Sequence, residues 1–369
     1  MSLRPKPEIE RLPVCPHGGI NYGELRDVGF NPDEVLDFSV SSNPFMPPPG
    51  IKEALKTIAI ERYPDSEAME LRERIAENEG VSPQNIITGS GTTELLRLIA
   101  LTYFRKRDPV LILEPTYGDY DIACRIVGAR PVKHRVREED NFSPNMEDVA
   151  RLIVEKRPRG IIICNPNNPT GKYLSREKIE MILKVLGDSL LIIDEAYIAF
   201  VERAWNSIDL TARGNVVILR SMTKDYGLTG LRLGYAIAPQ SIVDNLRRAC
   251  PPWNVNIIAQ KAGVIALSKA DFLEQTKKKI KEAKQFLVKK LVQLGYEVLP
   301  SHANFFLVKV GNASEFRATL LKRGILVRDC TSFGLPEYVR IAPRTMPECE
   351  KLIDAIAEGF SKSRKQTVR

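Results

Sequence analysis

A single lysine stands among small hydroxyl residues in the segment Ser221–Lys224, which reads Ser-Met-Thr-Lys. A neutral lysine amine can attack a carbonyl carbon, and neighbouring hydroxyl groups can hydrogen-bond an anion. A glycine-containing turn follows, and Arg232 comes eight residues after the lysine. The apolar run Val216–Leu219 precedes the segment and predicts a strand. We therefore expect the lysine at the carboxyl end of that strand.

Two other predicted strand ends carry residue types that suit a phosphorylated ring compound. The sequence Gly-Ser-Gly-Thr-Thr-Glu at residues 89–94 follows a short apolar run and begins a helix. Glycines let a ligand approach the backbone, and the free amides of a helix N-terminus bind phosphate. An ordinary helix cap at Thr92 or Thr93 is an alternative explanation. Tyr117, which follows another apolar run, can stack on a ring or simply pack in the core.

The next two predicted strand ends supply an amide and a carboxylate. The sequence NPNNPTG at residues 165–171 follows the apolar run 159–164, and Asp194 ends the run 190–194. The first can be merely a turn, and the second merely a helix cap. Because ligands of open α/β sheets bind outside the carboxyl ends of the strands, we expect these groups to converge with Lys224. Lysine, carboxylate, amide, aromatic ring and phosphate cradle form the set that pyridoxal phosphate requires.

The elements that must position these residues follow an alternating pattern. Continuous apolar runs at 85–88, 110–113, 159–164, 190–194 and 216–220 alternate with helical stretches, which predicts a parallel sheet covered on both faces. A long helical stretch at 258–294, broken near residue 270, is followed by strand, helix and strands. We predict an N-terminal segment (1–50) that packs with the small domain, a large domain (51–257) and a small α+β domain (258–369).

Three motifs carry a resemblance to a known family. These are NPNNPTG at 165–171, Asp-Glu-Ala-Tyr at 194–197, and SMTK followed by GLTGLRLGY at 221–235. With them the chain resembles the fold-type-I pyridoxal-phosphate enzymes of the aminotransferase class I/II group, from His17 to beyond Arg340. The resemblance implies an α/β fold in which helices enclose a mainly parallel seven-stranded sheet, with a smaller α+β domain beside it.

The resemblance also implies a role for each residue at the predicted strand ends. Lys224 is the Schiff-base lysine, Asp194 pairs with the pyridine nitrogen, and Tyr117 stacks on the cofactor ring. Tyr197 and Asn168 hydrogen-bond the ring phenolate oxygen. The cofactor phosphate is held by Gly91, Thr92, Ser221, Thr223 and Arg232.

Tyr63 resembles the tyrosine that reaches the cofactor phosphate of a neighbouring subunit. That match implies a homodimer whose active sites are shared at the interface. Lys224 is the expected proton donor in catalysis, with Tyr63 or water as alternatives.

The reaction is the least determined part of the prediction. Within the group the chain resembles the branch that contains histidinol-phosphate aminotransferase and L-threonine-O-3-phosphate decarboxylase. The segments His17–Gly19, 36–44 and Pro252–Asn256 favour the decarboxylase, although the first can be a tight turn and Trp253 a core aromatic. We expect decarboxylation of O-phospho-L-threonine to (R)-1-amino-2-propanol O-phosphate in cobalamin biosynthesis. The alternative is a histidinol-phosphate or related class I/II aminotransferase.

The expected substrate is a small, anionic phospho-amino acid. Arg328 and Arg340 lie at the ends of predicted strands, and the planar guanidinium fork suits carboxylate and phosphate oxygens. The resemblance assigns them to the substrate's carboxylate and phosphate, without saying which arginine binds which group. His17 is the candidate phosphate contact, and Asn168 and Asn304 are expected to line the same pocket.

Composition narrows the class of protein. The net charge of +8 comes partly from Lys277–Lys279 and the C-terminal sequence SRKQTVR, which are expected to be solvated. No basic face interleaved with aromatic residues is apparent, so we expect neither nucleic acid nor membrane as a partner. Three histidines, and six cysteines without a CxxC pair, argue against a metal site. With no signal-peptide pattern at the N-terminus, the protein is expected to be cytoplasmic.

Overall fold

The computed structural model describes residues 3–10, 12–45 and 47–360. The C-terminal sequence SRKQTVR lies outside these ranges, as do the last residues of the predicted small domain. Within these ranges no helix combines the length and the hydropathy that crossing a lipid bilayer requires.

Helices and strands alternate along most of the described chain. The α-helices are α1 (Pro7–Glu10), α2 (Tyr22–Val28), α3 (Ile51–Leu55), α4 (Met69–Glu79), α5 (Thr92–Tyr103), α6 (Asp119–Ile126), α7 (Met146–Lys156), α8 (Arg176–Val185), α9 (Met222–Asp225), α10 (Gln240–Ala249), α11 (Ile257–Leu267), α12 (Ala270–Gln293), α13 (Ala313–Leu321) and α14 (Met346–Phe360). The strands are β1 (Leu36–Asp37), β2 (Ile86–Gly89), β3 (Pro109–Glu114), β4 (Arg130–Arg135), β5 (Gly160–Cys164), β6 (Leu190–Asp194), β7 (Val216–Ser221), β8 (Gly234–Ile237), β9 (Glu297–Val298), β10 (Phe306–Lys309), β11 (Ile325–Leu326), β12 (Arg328–Asp329) and β13 (Tyr338–Ile341).

The largest sheet has seven strands in the order β2-β8-β7-β6-β5-β3-β4. The strands β3 to β7 pair in parallel, and β8 runs antiparallel to both of its neighbours, β2 and β7. In β5, Ile161 and Ile163 join the hydrophobic core on one face, and Ile162 and Cys164 join the core on the other. Such strands read as continuous apolar runs because helices bury both faces of the sheet.

The register of the sheet brings the carboxyl ends of three strands together. Cys164 at the end of β5 pairs with Asp194 at the end of β6, and Asp194 pairs with Leu219 of β7. The residues that follow these strands therefore start from one edge of the sheet, as parallel pairing requires.

A second, antiparallel sheet of four strands has the order β12-β13-β10-β9. Its hydrophobic core includes Leu287 of α12, Phe316 of α13 and Leu352 of α14. The short strand β1 pairs in parallel with β11, so the N-terminal segment is hydrogen-bonded to the C-terminal part of the chain. The predicted domain boundaries themselves stay a prediction.

The predicted α/β fold with a mainly parallel seven-stranded sheet is confirmed. Two strands of that sheet, β4 and β8, were not predicted. β4 lies at the sheet edge and is largely polar, so it lacks the apolar run of a buried strand. β8 has only four residues and lies within the GLRLGY motif.

Candidate active site

Lys224 lies on α9, a single helical turn that begins directly after β7. The Ser221 side chain accepts a hydrogen bond from the Thr223 amide at 3.3 Å and caps this turn. Burial, together with the charges of Arg340 and Arg232, lowers the pKa of Lys224 to about 8, and the charge of Asp194 opposes this lowering. A lysine amine with this pKa is much more often neutral, and hence nucleophilic, than an exposed one.

Asp194 is a buried carboxylate with two hydrogen-bond donors. Tyr120 Oη donates to Asp194 Oδ2 at 2.8 Å, and the amide of Ala196 donates to Oδ1 at 3.0 Å. Burial raises the pKa of the Asp194 carboxyl, while the Tyr120 hydrogen bond, the Ala196 amide and the charge of Lys224 oppose that rise. The site therefore holds a carboxylate whose ionised form depends on specific partners.

The aromatic ring predicted to stack on a ligand lies beside this carboxylate. Tyr117 packs edge-on against Tyr120 with ring centroids 5.5 Å apart, and its Oη is 3.3 Å from Thr93 Oγ1. The His17 ring lies on another side, with its centroid 6.0 Å from that of Tyr117. Burial, reinforced by the Asp119 charge, raises the pKa of Tyr117 well above its usual range, so its hydroxyl stays protonated.

The glycine-rich loop and Arg232 meet at the start of α5. Gly91 has a φ of +80°, and a Cβ at this position would lie 2.9 Å from Arg232 Nη2. Glycine at 91 thus leaves space for the guanidinium, which forms no ion pair with any described residue. The Ser221 and Thr223 hydroxyl oxygens lie 2.7 Å apart nearby. Free helix amides, two hydroxyls and an unpaired guanidinium suit a phosphate group.

Asn168, Tyr197 and Arg340 form a polar cluster in the same cleft as Lys224. Arg340 Nη1 donates to Asn168 Oδ1, and Arg340 Nη2 donates to the Ser39 carbonyl at 2.7 Å. Arg340 Nε is buried and has no hydrogen-bond partner in the described chain. Burial raises the pKa of Tyr197 to about 12, although the Arg340 charge acts in the opposite direction.

These residues line two clefts that meet at Lys224. The inner cleft, of about 510 Å³, is lined by every predicted cofactor-binding residue except Tyr63. The outer cleft, of about 640 Å³, shares Tyr117, Asn168, Tyr197 and Lys224 with the inner one. It is completed by the N-terminal residues 15–18 and 40–41 and, from the C-terminal part, by Arg328, Ser332, Phe333 and Arg340.

Arg328 anchors the N-terminal segment at the outer cleft. It donates hydrogen bonds to the carbonyls of Pro16 at 2.7 Å and His17 at 3.2 Å, and to Ser332 Oγ at 2.8 Å. Burial lowers the pKa of Arg328, and the charge of Arg340 adds to this effect. Two arginines of the outer cleft are therefore held by neutral groups rather than by carboxylates.

Two predicted site residues line neither cleft of the chain. Tyr63 is 77% exposed and stacks on Trp253, with ring centroids 4.4 Å apart. Asn304 is buried behind the outer cleft, where its Nδ2 donates to the Ser41 carbonyl at 3.2 Å and its Oδ1 has no partner among the described residues.

A profile of the family described as "Aminotransferase class I and II" matches residues 33–356. The chain belongs to that family. A curated relative, the histidinol-phosphate aminotransferase of Moorella thermoacetica, is 34% identical over 333 residues, which cover 88% of this chain and 85% of that protein. The predicted family resemblance is thereby confirmed.

Two solved structures of the fold widen the comparison. Histidinol-phosphate aminotransferase from Sinorhizobium meliloti, in complex with pyridoxal 5′-phosphate, has a TM-score of 0.87 and 23% identity, covering 98% of this chain and 99% of that one. L-threonine-O-3-phosphate decarboxylase from Porphyromonas gingivalis has a TM-score of 0.75 and 27% identity, covering 88% of this chain and 99% of that one.

Membership of the class I and II aminotransferase family makes pyridoxal 5′-phosphate the cofactor, as predicted. The donor groups of the inner cleft fit that molecule. A phosphate-binding set lies around Gly91 and Arg232, a buried carboxylate lies at Asp194, and an amine with a lowered pKa lies between them at Lys224. When bound, the cofactor supplies an electron sink for bonds at the substrate's α-carbon.

Tyr120 and Cys164 also line the inner cleft but were not predicted. Tyr120 lies on α6, a helix that the sequence pattern did not reveal, three residues after Tyr117. Tyr117 precedes this helix, so no helical periodicity links the two tyrosines, and their edge-on contact arises only in the folded chain. Cys164 ends β5 and reads in the sequence as one more apolar strand residue.

Proposed function

We propose that the chain is an aminotransferase that acts on a small phosphorylated substrate of the histidinol-phosphate type. The observation that carries this proposal is the outer cleft, which opens onto Lys224 and contains two guanidinium groups, Arg328 and Arg340. Neither forms an ion pair with a carboxylate in the described chain. Partly or fully buried charges that neutral groups alone surround favour an incoming anion.

The curated relatives named histidinol-phosphate aminotransferase support the same reaction class. Their similarity covers more than four fifths of this chain. A transaminase must bind an amino donor such as glutamate and a phosphorylated acceptor in turn. Two arginines in one cleft suit that alternation, because glutamate carries two carboxylates and the phosphorylated acceptor carries a phosphate.

Each residue of the inner cleft has a proposed task toward the cofactor. Asp194 holds a proton on the pyridine nitrogen, Tyr117 stacks on the ring, and Asn168 and Tyr197 hydrogen-bond the ring phenolate oxygen. Lys224 would bind the cofactor covalently, and its free Nζ would carry the proton that is moved at the substrate's α-carbon. The phosphate group is held by Gly91, Thr92, Ser221, Thr223 and Arg232.

We further propose a homodimer with shared active sites. The supporting observation is that Tyr63 lines neither cleft of its own chain yet is largely exposed and stacked on Trp253. A large, exposed aromatic pair suits an interface between subunits. In this arrangement Tyr63 reaches the cofactor phosphate of the partner subunit.

A second candidate is decarboxylation of O-phospho-L-threonine, and a specific observation favours it. Of the three segments that resemble the decarboxylase, two contribute to the site: His17 lines the outer cleft, and the Asn43 amide hydrogen-bonds the Lys224 carbonyl at 2.7 Å. The third segment, around Trp253, lies outside that cleft. A phospho-amino acid carries a carboxylate and a phosphate, one for each arginine. Asn304 is proposed to support this pocket through Ser41.

The two reactions separate in one experiment on the purified, pyridoxal-phosphate-loaded protein. In one reaction, glutamate is added and 2-oxoglutarate is quantified, followed by transfer to imidazole-acetol phosphate. In the other, O-phospho-L-threonine is added and carbon dioxide is measured. About one 2-oxoglutarate per site with no carbon dioxide supports the aminotransferase. Carbon dioxide without amino transfer contradicts it and supports the second candidate. Lys224→Ala should be inactive in both.

A further inference from the structure

A cysteine, a histidine and an aspartate converge at one side of the outer cleft. Cys15 and His17 come from the N-terminal segment, and Asp119 is the first residue of α6. One ligand atom from each lies within 4.8 Å of the others. The small numbers of histidines and cysteines argue against a metal site. Such counts do not show, however, that an aspartate about a hundred residues further along the chain lies beside Cys15 and His17.

The Asp119 carboxylate is the least satisfied member of this cluster. Its side chain is only 4% exposed, and Oδ2 accepts no hydrogen bond within residues 3–10, 12–45 and 47–360. The nearest cationic atoms are His17 Nε2, 3.5 Å from Oδ2, and Arg97 Nη2, 3.8 Å from Oδ1. A buried carboxylate oxygen without a donor is costly unless a cation approaches it.

The spacing of these atoms suits a tetrahedral metal ion. Zinc bonds of about 2.0–2.2 Å to nitrogen and oxygen place two tetrahedral ligands about 3.4 Å apart. The 3.5 Å between His17 Nε2 and Asp119 Oδ2 matches that value. The Cys15 sulfur lies within 4.8 Å of both atoms, and its side chain has one torsion to adjust.

The residue before Asp119 makes room for the sulfur. A Cβ on Gly118 would lie 2.7 Å from Cys15 Sγ, closer than real Cβ contacts allow. Any other residue at position 118 would force the thiol or the backbone to shift. Glycine at position 118 thus leaves space for the Cys15 sulfur close to the Asp119 carboxylate.

We propose that Cys15, His17 and Asp119 form a zinc site that leaves one coordination position open toward the outer cleft. Thiolate, imidazole and carboxylate are the ligand types that Zn²⁺ prefers, whereas Mg²⁺ and Ca²⁺ prefer oxygen alone. Cys15 and His17 line the cleft beside Arg328, so the fourth position faces the volume that is free for an anion. On binding, the Cys15 thiol loses its proton to solvent.

The test uses pyridoxal-phosphate-loaded protein that has been stripped of metal with a chelator. Co²⁺ is titrated as the probe, and the difference spectrum against the metal-free holoenzyme is recorded. We expect a thiolate-to-cobalt charge-transfer band and the visible bands of tetrahedral Co²⁺, both saturating near one ion per chain and abolished by added Zn²⁺. Inorganic phosphate added afterwards should shift the visible bands, because it enters the open position. Unchanged visible bands would show that the site is closed.

Single substitutions test which side chains bind the metal ion. Cys15→Ser should remove the charge-transfer band, and Asp119→Asn should weaken Co²⁺ binding by at least about tenfold. Cys250→Ser is the matched control, since Cys250 is another partly buried free thiol that lines neither cleft, and it should bind like the wild type. A charge-transfer band that survives Cys15→Ser, or no saturable binding at all, would overturn the proposal.

A measurement on the unaltered protein removes any dependence on how the variants fold. Zn²⁺ should slow the alkylation of Cys15 by iodoacetamide, read by peptide mass spectrometry, while alkylation of Cys250 is unaffected. Equal rates at Cys15 with and without Zn²⁺ would overturn the site independently. Because none of these readouts needs turnover, they do not depend on which reaction the enzyme catalyses.

Discussion

Replacing Tyr120 with phenylalanine tests whether the buried carboxylate at position 194 is tuned by its neighbour. Tyr120 is fully buried, and its hydroxyl donates to Asp194 Oδ2 at 2.8 Å. Phenylalanine keeps the ring and its edge-on packing against Tyr117, so the substitution removes essentially one hydrogen bond. Asp194 would keep only the Ala196 amide as a donor.

The size of the effect follows from the chemistry of that bond. A hydrogen bond to a buried charged group contributes about 1.5–3 kcal/mol. Burial already raises the pKa of Asp194, and the Tyr120 hydrogen bond opposes the rise, so the loss of this bond should raise the pKa further. If the transition state needs the ionised carboxylate, kcat should fall by roughly 10- to 150-fold.

The assay is the pH dependence of kcat for the cofactor-loaded enzyme, with the substrate that proves active. The acidic limb should move to higher pH in Tyr120→Phe, because Asp194 then needs a higher pH to ionise. Tyr235→Phe is the matched control: it removes a 2.5 Å hydrogen bond from another buried tyrosine to Glu79, which lines neither cleft. If Tyr120→Phe leaves kcat and the acidic limb like those of the control, the role given to Tyr120 is wrong.

Three further outcomes are expected. Gly91→Ala should weaken the affinity for the cofactor at least about tenfold, because the alanine Cβ would crowd Arg232. Gly187→Ala is the control, since Gly187 also has a positive φ but has open space around it, and it should not change the affinity. Equal affinities of the two variants would refute the predicted clash. Arg340→Lys should lower kcat/KM for the anionic substrate roughly 10- to 100-fold, because lysine lacks the guanidinium fork, and an unchanged KM and kcat would contradict this. Between about pH 8 and 10.5 the unfolded chain binds more protons at Lys224 than the folded chain does. The free energy of unfolding of the cofactor-free wild type should therefore increase relative to that of Lys224→Met as pH rises through this range. If denaturant titrations show a constant difference between the two proteins, the pKa of Lys224 is not lowered.

The inner cleft was largely predictable because its residues follow successive parallel strands. Each apolar run predicts a strand. The polar residues that follow parallel strands lie at the edge of the sheet where the carboxyl ends of those strands meet. The sequence alone therefore predicts that Lys224, Asp194 and Asn168 lie close together. The motifs around them are also specific enough to have identified the family.

Residues that reach the site by other routes were harder to predict. Tyr120 comes from a helix of only eight residues, and β8 contributes only four residues to the sheet. Asn304 was predicted to line the pocket but is buried one layer behind it, because no local pattern reports the depth of a side chain. The proximity of Cys15 to Asp119 depends on tertiary packing alone.

The two clefts are built from very different lengths of chain. The inner cleft is lined by residues between 91 and 232, whereas the outer cleft also needs the N-terminal segment. That segment contains β1, which pairs with β11 of the C-terminal part of the chain. Chains emerge from the ribosome N-terminus first, and domains tend to fold as they appear. During synthesis, the segment that contains Cys15 and His17 cannot pair through β1 until residue 325 and the rest of β11 have been made. The lining of the inner cleft is therefore contained in a shorter stretch of chain than the lining of the outer cleft, which is proposed to select the substrate.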